Sequence, residues 1–260
     1  MTAVLRNESE RLVRGSVVLT GVLVVLVAFL FVVFPSIQRE AELFEEVYPT
    51  FVLDLLGIVE LHTIEGFVGG YIFAFVWVLI AGIYFAYVSG GMVSRDVRTR
   101  RLDLTLASPV SRESVVFQKV AALWVPLVAL NAGLLATVLV GVTLLGESID
   151  PVSLAMVHLL GVPYLLVCAG IGIVLSVRID RDETAQAAAL VVTFVLWLVD
   201  GLSQMSPDFE WMGGFTPSRY YDPSAILVHR EYALFDATIL LAAFLALLGI
   251  AVVVFVRRDI

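Results

Sequence analysis

The chain has 260 residues, 60% of them apolar, and a mean hydropathy of +0.98, whereas a soluble domain is roughly half apolar. The net charge is −8, which argues against nucleic-acid binding, since that needs a basic surface. The single cysteine, Cys168, lies in an apolar run and excludes an intrachain disulfide or a multi-cysteine metal site.

The apolar residues are gathered in long uncharged runs, and a run of about 18 or more reads as a membrane-spanning helix. Residues 2–15 come first and carry Arg6, Arg11 and Arg14. With Val4, Leu5, Leu12 and Val13 on one side, they predict a short interfacial helix leading into the membrane. Six spans follow, over 16–34, 67–93, 114–145, 152–177, 184–202 and 235–256. Pro35 is expected to end the first. Pro126 is expected to break or kink the third, and Pro163 falls inside the fourth, as a spanning helix allows when neighbours satisfy the freed carbonyl. The first run is too long for a typical signal-peptide core, and no A-x-A site follows it. The expected organisation is one transmembrane domain over 1–260, all-α and polytopic.

Basic residues set the orientation. With the N-terminus inside, Arg6, Arg11, Arg14, Arg95, Arg98, Arg100, Arg101, Arg112, Lys119, Arg178, Arg181, Arg257 and Arg258 are cytoplasmic. Only Arg39, Arg219 and Arg230 lie outside. Both termini are therefore expected in the cytoplasm. The outer segment 35–66 is acidic, with leucines and phenylalanines that predict an amphipathic helix on the outer leaflet. The outer segment 203–234 is rich in aromatic residues, which favour the headgroup region. Lysine is nearly absent: Lys119 is the only one among sixteen basic residues. Such an acidic, lysine-poor balance suits a surface solvated by concentrated salt.

Enzyme signatures are scarce. His62, His158 and His229 are isolated, without the H-E-x-x-H of a zinc protease, and no G-x-S-x-G is present. No metal site and no bound cofactor are expected. Polar and ionisable groups inside a bilayer are costly and usually functional. Asn131 and His158 are thus candidates for a substrate pathway, although an interhelical hydrogen bond explains Asn131 more simply and a place within two turns of the outer end favours an interfacial role for His158. Asp200, near the outer end of the fifth span, is expected to face water. Lys119, at the start of the third span, is expected to snorkel to the surface. So few carboxylates at mid-membrane leave little for a proton- or sodium-coupled carrier to use.

The segment 94–113, between the second and third spans, is the most informative. Its charged part is helix-compatible up to Ser108, Pro109 stops it, and Ser111 can cap the next helix. Leu102 and Leu106 are four apart and share a face. Arg98 and Arg101 are three apart. A short charged helix with an apolar ridge suits docking onto another protein, and a solvated loop obeying the positive-inside rule would read the same way.

This segment resembles the corresponding motif of type-2 ABC transporter permeases, in which a glycine and acidic residues precede Gly-Thr-Leu, a leucine-rich stretch and Pro-Val-Ser-Arg. Asp96, Leu102, Asp103, Leu104, Leu106 and Pro109-Val110-Ser111-Arg112 match in order. Arg100-Arg101 replaces Gly-Thr, and Arg98 takes a usually acidic position. His62-Thr63-Ile64-Glu65-Gly66-Phe67 is similar to the Thr-Pro-Glu-Gly stretch before the second span in antibiotic-exporter-like members. Tyr220-Tyr221-Asp222-Pro223 is similar to the stretch before the last span, and the basic N-terminal helix and Arg257-Arg258-Asp259 also fit. The resemblance implies a permease that pairs with a second copy or a paralogue in lipid and is driven by a cytoplasmic ABC ATPase subunit. The chain has no G-x-x-x-x-G-K-[ST] loop, so ATP and Mg would be bound by the partner and ATPase activity is not expected here. Residues expected to couple the two are Arg95, Asp96, Arg98, Arg101, Leu102, Asp103, Leu106, Pro109, Ser111 and Arg112. The cargo is expected to be hydrophobic or amphipathic. A membrane subunit serving the assembly of another system is the alternative.

Overall fold

The computed structural model describes residues 3–47, 60, 62–107, 110–205 and 207–258, without the side chains of 41–47 and Leu106. Among them all regular structure is helical, and six helices are long and apolar enough to cross a membrane. The fourth span, Pro151–Arg178, is the most buried and packs against the second, fifth and sixth. The first and third pack side by side. The N-terminal turns, the 94–113 segment and the end of the sixth span meet at one arginine-rich end.

The first helix runs unbroken over Ala3–Val47 with Pro35 inside it. This corrects two expectations. Proline deletes one backbone hydrogen bond, but the following Gln-Arg-Glu-Ala-Glu-Leu stretch consists of strong helix formers and the helix resumes. Residues 3–15 are not a separate interfacial helix but the first turns of the same rod. They lie parallel to the start of the third span: Leu5 N–H donates to Gln118 Oε1 (3.3 Å), and Trp124 Nε1 donates to Ser9 Oγ (3.2 Å). The expected amphipathic helix in 35–66 falls largely outside the described residues.

The second span opens with Ile64–Phe67, capped by the Thr63 hydroxyl. It is wound with i→i+5 bonds over Val68–Ala81 and returns to α over Gly82–Gly90. Its crossing with the fourth span is close. A Cβ on Gly172 would sit 2.2 Å from Ala86 O and 2.0 Å from Ser89 Oγ, so glycine is what lets the backbones approach. The third span is two helices, Arg112–Ala121 and Trp124–Leu145. The break falls just before Pro126: Ala122 O, deprived of an i+4 donor by the proline, accepts instead from Val125 N–H at 3.1 Å. The fifth and sixth spans are Asp182–Ser203 and Leu234–Val256.

At the other end, 203–234 folds back onto the bundle. Phe209, Trp211 and Phe215 are exposed at the rim. Tyr221 inserts, donating its hydroxyl to Val157 O at 2.8 Å and stacking on Tyr164.

Candidate functional site

The segment between the second and third spans is not one helix. Ser94–Arg98 and Arg101–Leu106 are separated by a turn in which Arg100 is left-handed, with φ 54° and ψ 20°. Glycine adopts that conformation freely, whereas an L-residue with a side chain pays roughly 1–2 kcal/mol. This is the position at which the resembled motif carries the glycine of Gly-Thr. The turn is therefore retained here with arginine in a glycine's place.

The first half of the segment is bolted to the bundle. Ser176 Oγ of the fourth span accepts from Val93 N–H (2.9 Å) and Ser94 N–H (3.1 Å), satisfying donors that a helix N-terminus leaves free. Arg98 Nε is 2.7 Å from Asp182 Oδ1, and Arg98 Nη1 donates to Glu183 Oε1 at 2.8 Å. Arg95 Nε is 3.4 Å from Asp182 Oδ2. Both arginines thus hold the acidic first turn of the fifth span, where a helix N-terminus favours negative charge. Arg98, expected to meet a partner protein, is engaged within the chain.

A second cluster is buried. Lys119 Nζ lies 2.8 Å from Glu8 Oε2 and 2.7 Å from Asp96 Oδ2. Arg11 Nη1 reaches the same two carboxylates at 3.3 Å each. The four charges balance, and Lys119, Glu8 and Asp96 are 1%, 5% and 6% exposed. Lys119 therefore does not snorkel. Its ammonium is the junction of the first helix, the Ser94–Arg98 helix and the third span, and its reach to Asp96 keeps it buried.

The segment's far end is tied as well. Ser111 caps the next helix, accepting from Ser114 N–H at 3.2 Å. Arg112 Nη1 donates to Arg258 O (2.6 Å) and Val256 O (3.3 Å), closing the carbonyl end of the sixth span. Arg258 donates to Val177 O at 2.6 Å and pairs with Asp180, closing the end of the fourth.

The expected apolar ridge is differently composed. Leu102 is 1% exposed and belongs to the chain's own core. Leu104 is 77% exposed, and Arg101 and Asp103 are exposed beside it. Pro109 and the Leu106 side chain lie outside the described residues.

Within the membrane the structure brings together two candidates read separately from sequence. His158 Nδ1 and Asn131 Oδ1 are 2.8 Å apart, and Asn131 Nδ2 donates to Leu127 O at 2.8 Å. Phe73 and Trp77 flank the imidazole edge to face. The pair links the third and fourth spans. Asp200, expected in water, is buried.

Sequence reasoning missed Glu8, Arg11, Ser176, Asp182, Glu183 and Arg258. The one available signal was a lone lysine in a chain that otherwise uses arginine. Lys119 had a reason to be a compact ammonium, and two carboxylates supply it.

A family model described as "ABC-2 family transporter protein" matches residues 2–260. A search of curated proteins finds no match.

Proposed function

The chain belongs to the ABC-2 family of transporter proteins, a multi-pass permease of the plasma membrane, and we propose that it moves a hydrophobic or amphipathic substrate outward. The energy comes from ATP hydrolysed by a separate cytoplasmic ABC ATPase subunit, with a second permease copy or paralogue completing the pathway. The observation that carries this reading is the anchoring of the 94–107 segment. Its first helix is fixed through Asp96 to the first and third spans and through Arg95 and Arg98 to the fifth. Its second helix presents Leu104, Arg101 and Asp103 outward. A displacement of that exposed helix is passed through short ionic contacts to spans on both sides of the bundle. Coupling needs a physical element of this kind, one that both sites bias.

Docking then rests on Leu104, whose full burial against a partner stabilises the complex by about 1.5–3 kcal/mol. Arg101 and Asp103 fix its orientation by charge. Asn131 and His158 are assigned to the substrate pathway, at the contact between the third and fourth spans.

The test is Leu104→Glu in the reconstituted complex with its ATPase. The variant should insert normally, yet co-purify poorly with the ATPase and lose transport-linked hydrolysis. Phe209→Glu, at an exposed aromatic position on the opposite end, should keep both. Wild-type association and hydrolysis in Leu104→Glu would end the coupling assignment.

A further inference from the structure

At the aromatic end of the bundle a cavity of about 350 Å³ lies between the second, fifth and sixth spans and the folded-back segment. That volume is within the range of ligand clefts, about 300–1,000 Å³. Four carboxylates line it, Asp200, Asp222, Glu231 and Asp236, against one guanidinium, Arg219. Arg219 is already paired, with Nη2 3.1 Å from Glu210 Oε1. Asp222 accepts from Ala225 N–H at 2.9 Å. Asp236 stands in the first turn of the sixth span, where it complements the helix dipole.

Asp200 stands beside the Ser218 and Thr216 hydroxyls, but among the described residues no cation forms an ion pair with it. It is 7% exposed, and its Oδ1 is buried without a hydrogen-bond partner among the described residues. Ser218 Oγ, in the same lining, is buried beside that carboxylate. A buried carboxylate is costly unless a donor or an opposite charge meets it. An anion is repelled here, and a neutral alcohol leaves the excess negative charge in place. Among the described residues no three His, Cys, Asp or Glu side chains converge as metal ligands do.

We propose that this cavity binds a primary alkylammonium group. Its nitrogen carries three donors and a positive charge, and donates to Asp200 Oδ1 and Ser218 Oγ. The alkyl part lies against Trp197 and Tyr220, whose ring faces also attract a cation. The ammonium is supplied either by a free amphipathic amine or by an aminophospholipid headgroup. The inference goes beyond the coupling reading and does not depend on it, since binding needs no ATPase.

The experiment titrates hexylammonium into the full-length chain in phosphatidylcholine nanodiscs, with empty discs subtracted. Calorimetry should give saturable binding, with no saturable binding of hexanol. Asp200→Asn, which keeps the side-chain shape, should raise Kd at least tenfold. Adding phosphatidylethanolamine to the discs assigns the source. Competition upholds the site with a lipid headgroup as its ligand, and unchanged affinity upholds it with a free amine. Equal binding of hexanol and hexylammonium by the wild-type chain would overturn the proposal, as would wild-type affinity in Asp200→Asn. If Asp200→Asn does not fold, the hexylammonium-to-hexanol comparison on the wild-type chain decides alone.

Discussion

Replacing Lys119 with methionine keeps an unbranched side chain and deletes the ammonium that sits 2.8 Å from Glu8 and 2.7 Å from Asp96. Two carboxylates whose side chains are 7% and 9% exposed are then left to one guanidinium, Arg11, at 3.3 Å from each. Removing one partner from a buried ionic cluster costs about 3–5 kcal/mol, mostly because the remaining charge stays desolvated. The cost should fall when the orphaned charges are removed too. Glu8→Gln with Arg11→Met, Asp96→Asn and Lys119→Met, which removes all four charges, should recover to within about 1 kcal/mol of wild type, because replacing a whole buried ionic set is often close to neutral. The assay is equilibrium unfolding in mixed micelles, followed by hydrogen exchange across 94–107. The single variant should show both the loss of stability and faster exchange there, and the quadruple variant should restore protection. A single variant within about 1 kcal/mol of wild type would refute the cluster as the junction of three elements.

Three further outcomes follow from named positions. Arg100→Gly should relieve left-handed strain of roughly 1–2 kcal/mol against glycine's extra entropy of about 0.5–1 kcal/mol, a net gain of about 0.5–1 kcal/mol. Unfolding midpoints measure it, and an unchanged or lowered midpoint would contradict it. Gly172→Ala forces apart the second and fourth spans and should destabilise by about 1–3 kcal/mol; Gly249→Ala, with open space around its Cβ, should not, and equal effects would remove the close-crossing argument. Asp150 caps the fourth span, accepting from Ser153 N–H at 2.7 Å and from its hydroxyl at 2.9 Å. These bonds hold its carboxyl below the usual carboxylate range. The cap is therefore fully present above the ordinary carboxylate pKa of about 3.9 and is lost as pH falls through the depressed value. Asp150→Asn should flatten that acid limb of the stability profile, and an unaltered limb would show that the cap does not titrate there.

The spans were legible because hydropathy is a local signal. The fourth, fifth and sixth, expected at 152–177, 184–202 and 235–256, are Pro151–Arg178, Asp182–Ser203 and Leu234–Val256. Ser111 was also legible as a cap, since its partner Ser114 is three residues away. What failed depended on contacts between distant segments. Pro35 reads as a terminator by itself, but the helix formers after it carry the helix on. Lys119 reads as a snorkelling residue until Glu8 and Asp96, 111 and 23 positions earlier, arrive beside it. Leu102, expected on a docking ridge with Leu106, packs instead into the chain's own core, and Leu104 is exposed, beyond a left-handed turn at Arg100. The family resemblance pointed to the segment 94–113, but not to which of its leucines faces out.

The most direct test of coupling exploits the chain's one native thiol, Cys168, which is fully buried. Leu104→Cys therefore adds a single reactive thiol at the exposed helix. Carrying a short photoreactive cross-linker in the assembled transporter, it should join the ATPase subunit and stop coupled hydrolysis, whereas Phe209→Cys should do neither. Cross-linking to the ATPase from Phe209→Cys but not from Leu104→Cys, or full hydrolysis after Leu104→Cys is joined, would contradict the account.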